Sequence, residues 1–176
     1  MTPTEQVFDW IEHTELSLWL VGPSMLAFPT VLTVHVLGTG FLAGTSSAIA
    51  LRILGVARQV PLKLLDLFYP ILWVALAANV ASGTLLLIAY PYKAFTNPLF
   101  YVKLSLIALA IYLVVKIRND VLRHPPAEKP VAEAALWKRA KILAGLSLAS
   151  WMAVIAAGRF LAYTHTWLRV GLPADF

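Results

Sequence analysis

Four apolar runs, each at or near the length that crosses a bilayer, leave this chain one way to satisfy its backbone. They cover about residues 25–53, 67–90, 99–117 and 142–163. At a rise of about 1.5 Å per residue, roughly 20 residues match a hydrocarbon core about 30 Å thick. Only helices or closed barrels pair all their peptide groups in lipid, and unbroken runs of this length read as helices. The sequence therefore predicts an all-α polytopic membrane protein, a four-transmembrane-helix bundle over residues 23–170, with a short tail at 171–176. The lipid bilayer is its first partner. With 60% hydrophobic and 13% charged residues and a mean hydropathy of +0.76, the chain lacks the polar surface a soluble domain of 176 residues would need.

The chain has no cysteine. Disulfides, thiolate metal sites, iron–sulfur clusters, covalently attached haem and cysteine nucleophiles are all excluded. The net charge of +5 does not signal nucleic acid, because the charges are segregated by position along the chain. One side receives Arg52, Arg58, Lys63, Lys116, Arg118, Arg123, Lys129, Lys138, Arg139 and Lys141. The other receives Lys93, Arg169 and an N-terminus carrying Glu5, Asp9, Glu12 and Glu15. By the positive-inside rule the first side is cytoplasmic, which puts both termini outside, in the periplasm of a Gram-negative cell.

Residues 1–22 carry no basic n-region and do not read as a cleaved signal. Val7, Phe8, Trp10 and Ile11 alternate with acids at helical spacing, as in a short amphipathic helix on the membrane surface. Between the third and fourth spans, a Pro pair and mixed charges suit a solvated loop, with a solvent-facing His124, leading into a short interfacial helix. Gly40, Gly44 and Ala48, and Gly145, Ala149, Ala153 and Ala157, recur every four residues and predict close helix packing or a dimer face.

Each span also carries one strong hydrogen-bonding group at a similar depth. His35 lies seventeen residues from Arg52 and Arg159 seventeen from Ile142, about 25 Å along the axis. Asn79 lies thirteen residues from Asp66 and Lys103 thirteen from Lys116, about 20 Å. Lys103 and Arg159 are near enough to the outer face to snorkel, and Asn79 beside Ser82 and Gly83 also reads as glue between helices. His35 is harder to explain without a function, because an ionisable ring is costly to insert in lipid.

An imidazole, an amide and two cations, with no acid inside the membrane, suit a ligand that brings negative charge or acceptor oxygens. Haem b fits, with His35 on the metal and Lys103 and Arg159 at the propionates. A quinone fits too, its carbonyls accepting from His35 and Lys103 while Asn79 orients the ring. Gly38, one turn along from His35, leaves room beside a flat ligand. A second axial ligand would have to be His165, about 10 Å higher on the rise per residue, or His13 folded inward. Neither pairing is a good one, and His165, beside Tyr163 and Trp167, reads better as part of the interfacial aromatic belt.

Three stretches, HVLGTGFLAGTSSAIALRILG (35–55), NPLFYVKLSLIALA (97–110) and GRFLAY (158–163), resemble an uncharacterised bacterial family of small four-helix inner-membrane proteins. That family is distantly similar to the membrane domain of copper-resistance D-type proteins. The resemblance implies residence in the inner membrane and metal or redox handling near the periplasm, and it brings no catalytic residues with it. Copper(I) favours Cys and Met, whereas Met1, Met25 and Met152 form no spaced ligand set.

The expectation is an electron-transfer subunit binding haem b or quinone near the periplasmic face, working with a periplasmic redox partner or as a homo- or hetero-oligomer. It would not be a complete enzyme, since the sequence shows no nucleophile–base set or nucleotide loop. Copper or small-anion transport, and a structural or assembly subunit, are the alternatives.

Overall fold

The computed structural model describes residues 3–23, 25–123 and 130–167, and the side chains of these except 130–133, 162 and 164–167. His124, the Pro pair and the tail at 171–176 lie outside the described residues. Four helices are long and apolar enough to cross a membrane: α3 (Ala27–Leu54), α5 (Phe68–Ala89), α7 (Pro98–Ile117) and α8 (Pro130–Trp167). The chain is a multi-pass, all-α membrane protein. Short helices fill the joints: α1 (Pro3–Glu12), α2 (Glu15–Val21), α4 (Leu62–Leu65), α6 (Pro91–Phe95) and a π turn (Arg118–Leu122) after α7.

Local signals set the ends of the spans. Gly55 takes φ 104°, a left-handed conformation, and its N–H and that of Val56 return to Leu51 O at 3.1 and 3.0 Å. The Arg52 side chain then donates to Val60 O and Arg58 O and holds the following loop. At the start of α7 the buried Asn97 carboxamide accepts from Leu99 N–H at 3.0 Å, with Pro98 in the first turn, where its missing N–H costs nothing.

Two sequence expectations are refined. The amphipathic N-terminal segment is two helices, broken at Thr14, whose hydroxyl caps α2. Phe8 of α1 stacks on Phe95 of α6 at 5.5 Å, and α2 rests on α3 and α5. The interfacial helix ahead of the fourth span is the first part of α8. From Pro130 the sequence PVAEAALWKRAK is rich in strong helix formers and has no breaker before Ile142, so the helix runs on.

Helix α3 packs along α5 and along α8, and α8 packs along α7, while α5 and α7 share no extended contact. The bundle thus has one open side. At the basic end that side is tied. Tyr69, fully buried on α5, donates to Val114 O of α7 at 3.1 Å. Arg118 bridges Asp66 through Nε and Nη2 at 2.8 and 3.3 Å, with its guanidinium 4.5 Å from the Tyr69 ring centre. The apolar core, from Leu42 to Ile53 on α3 against Leu72, Val114, Trp151 and Val154, fills the region above this tie.

The glycine-bearing parts of the two stripes do not pack these helices together, and of the α8 series only its far end, Ala157, is buried. Gly40, Gly44, Ala48, Gly145 and Ala149 are exposed, and a Cβ on Gly40, Gly44 or Gly145 would meet nothing. The packed face of α3 runs instead through Gly38, Leu42, Ser46, Ile49 and Ile53, an equally regular series rotated around the same helix.

In lipid, helix association depends on packing and interhelical hydrogen bonds, so the tie should be measurable. Tyr69→Phe should lose about 1 kcal/mol of stability, the net worth of a hydrogen bond. Arg118→Ala, which removes both the carboxylate bridge and the ring contact, should lose more. Thermal unfolding of the two variants in detergent checks the order; wild-type melting in both would mean the tie holds nothing.

Candidate functional site

Away from the basic end, the α3–α5 interface is polar. Gly38 allows the close approach: a Cβ there would stand 3.3 Å from Ala75 O and from Asn79 Cβ and Nδ2. Asn79 uses the space to donate from Nδ2 to His35 O at 2.8 Å and to Thr39 Oγ1 at 2.7 Å. Thr39 in turn donates to His35 O at 2.9 Å. Across the same seam His35 Nδ1 lies 3.2 Å from Asn79 O and 3.2 Å from Ser82 Oγ.

These contacts select the tautomer. Asn79 O can only accept, and the single hydroxyl hydrogen of Ser82 is taken by Ala78 O at 2.7 Å. Nδ1 must therefore carry a hydrogen and donate. Nε2 is left with no partner among the described residues, a bare lone pair in the neutral ring. Gly83 completes the seat, since a Cβ there would stand 3.2 Å from His35 Cε1.

Lys103 enters from α7. Its Cε and Nζ lie 3.7 and 3.8 Å from where a Gly158 Cβ would stand, so the glycine on α8 makes room for the stem. The ammonium is half-buried and within electrostatic reach of the His35 ring. Among the described residues it has no hydrogen bond or ion pair. Depth can be counted from the Tyr69–Val114 tie. Asn79 is ten residues beyond Tyr69 and Lys103 eleven before Val114, about 15 and 16 Å along their axes. Asn79 and Lys103 therefore sit at one level, with His35 beside Asn79 at the α3–α5 interface and Gly158 beside Lys103 at the α7–α8 interface.

Arg159 does not join them. One residue past Gly158, it is rotated by about 100°; it is exposed, with its guanidinium 5.5 Å from the Tyr163 ring centre. The His165 side chain lies outside the described residues. His13 is on the surface of α1, its Nδ1 2.8 Å from Asp9 O. Among the described residues no three His, Asp or Glu side chains gather to hold a metal ion. Sequence reasoning did not assign Ser82, Gly83 and Gly158 to the site, although Ser82 and Gly83 lie three and four residues past Asn79, the spacing of one helix face.

Comparison with protein-family models, curated proteins and solved structures finds no match for this chain.

The tautomer is directly testable. Nitrogen-15 spectra of histidine-labelled protein should show His35 protonated at Nδ1 and unprotonated at Nε2. The reverse assignment would contradict the network. Asn79→Ala, which leaves the carbonyl but removes both amide donors, should cost about 1 kcal/mol in detergent unfolding, the scale of a hydrogen bond between membrane helices.

Proposed function

We propose that the chain is a membrane electron-transfer subunit that binds a ring-shaped redox ligand, a quinone or haem b, between His35 and Lys103. The observation that carries the reading is the His35 ring: Asn79 O holds its Nδ1–H, so Nε2 is presented bare in a half-buried place. Orienting one ring nitrogen by a backbone carbonyl is how proteins prepare the other to accept a proton or ligate a metal.

Of the two ligands, the quinone suits the described residues better. A quinol hydroxyl donates to Nε2, and the unpaired Lys103 ammonium donates to a ring oxygen, so both polar ends are met without further side chains. A six-coordinate haem needs a second axial ligand, and His13 is engaged at the surface with Asp9. Five-coordinate haem is the second reading, favoured by the same free Nε2, with Lys103 meeting a propionate. Bound haem would supply one-electron chemistry; the chain's own part is to fix the imidazole and place one cation. The open side between α5 and α7 supports a ligand that reaches the site from within the bilayer.

Orientation belongs to the same proposal. The ten basic residues on one side assign that side to the cytoplasm, which puts the site in the outer half of a bacterial inner membrane, toward a periplasmic partner. The resemblance carried by residues 35–55, 97–110 and 158–163 supports that location.

Protein purified in detergent should retain extractable quinone, or bind a short-chain benzoquinol analogue. His35→Ala and Lys103→Met should each weaken that binding at least tenfold, while Arg159→Ala leaves it unchanged. A Soret band lost in His35→Ala would select haem instead. A colourless preparation that binds no quinol would end the reading.

A further inference from the structure

Most hydroxyls inside the long helices are quenched by their own backbone. Thr39, Thr45, Ser82, Ser105 and Ser150 each donate to the carbonyl four residues back, at 2.6 to 3.0 Å. A rotation about χ1 is all this requires. Ser46 on α3 and Ser147 on α8 do not do it. They are 2% and 0% exposed, and neither hydroxyl has a partner among the described residues. The Nε1–H of Trp151, a residue 2% exposed and one turn along α8 from Ser147, is also unpartnered.

Residue counts put the two serines at one depth, with Trp151 one turn away. Ser46 is eleven residues from His35 and Ser147 eleven from Gly158, so both lie about 16 Å from the His35 level toward the basic end. Helices α3 and α8 pack against one another. On the buried faces here Ala43 and Ala50 stand beside Ser46, between Leu42 and Ile49, and Ala144 stands beside Ser147, one turn before Trp151. A buried hydroxyl turned away from its own carbonyl, and an indole N–H, are costly in hydrocarbon unless something else meets them.

We infer that Ser46, Ser147 and Trp151 enclose an internal water site in the membrane-embedded core. The oxygen of the water accepts from the indole N–H, and the two hydroxyls supply further bonds as donor or acceptor. That is about three partners, the usual complement of a buried water. The site is separate from the pocket proposed at His35 and stands whether or not that pocket binds a redox ligand.

Ser→Ala substitution gives opposite signs for a wet and a dry site. In a dry core, alanine removes an unsatisfied hydroxyl and is the better helix former, so stability rises. In a hydrated core it takes a bond from the water, so stability falls. Ser46→Ala and Ser147→Ala in the full chain should each lower the melting temperature in detergent. X-ray hydroxyl-radical labelling in 18O water should oxidise Trp151 despite its burial, with labelling reduced severalfold in the double variant. A melting temperature equal to or above wild type for either variant, or an unlabelled Trp151, overturns the inference.

Discussion

A polar side chain carried into hydrocarbon finds no partner in the lipid, and one that does not bond its own backbone must be met from elsewhere in the protein. In this protein that constraint falls on His35 and Asn79. Each gives a donor to the other's main chain: the imidazole Nδ1–H to Asn79 O, and the carboxamide to His35 O. The exchange fixes the depth and rotation of α3 against α5 together, and Gly38 lets the two backbones approach closely enough for it. Because α8 packs on the other side of α3 and α7 on α8, the placing of the remaining helices follows from that first seam.

The division between what sequence told and what it did not is the division between rise and rotation. Rise is fixed by the helix, so run lengths marked the spans and residue counts put His35, Asn79 and Lys103 at a common level. Rotation depends on which neighbours pack, and a single residue changes it by about 100°. Gly158 faces Lys103 while Arg159, next in the chain, faces outward. The glycine series of α3 show the same limit. Gly40, Gly44 and Ala48 repeat as regularly as Gly38, Leu42 and Ser46, and only the position of α5 makes the second set the packed one. The continuous α8 was hidden for a different reason: its charged first part looks like loop in hydropathy, although its residues favour helix.

What the described residues offer chemically is a directed lone pair and an unpaired cation at one depth. A single imidazole in lipid could be packing; its orientation by a main-chain carbonyl, with the other nitrogen unoccupied, is what makes it a candidate for accepting a proton or holding a metal. The surrounding hydrocarbon strengthens any interaction made there, since little dielectric screening opposes it. That same weak screening makes a cation without a partner, such as Lys103, costly to keep there.

The fastening of α5 to α7 gives the molecule the mechanics of a slit stapled at both ends. Tyr69, Asp66 and Arg118 hold the two helices at one extremity, and the short connection through α6 (Pro91–Phe95), with Phe95 packed on Phe100, holds them at the other. Two rods held at both ends bow most between the holds, and the level of Asn79 and Lys103 lies about midway. A bulky ring could then slip in and out through ordinary breathing of two rods, with no dedicated flap.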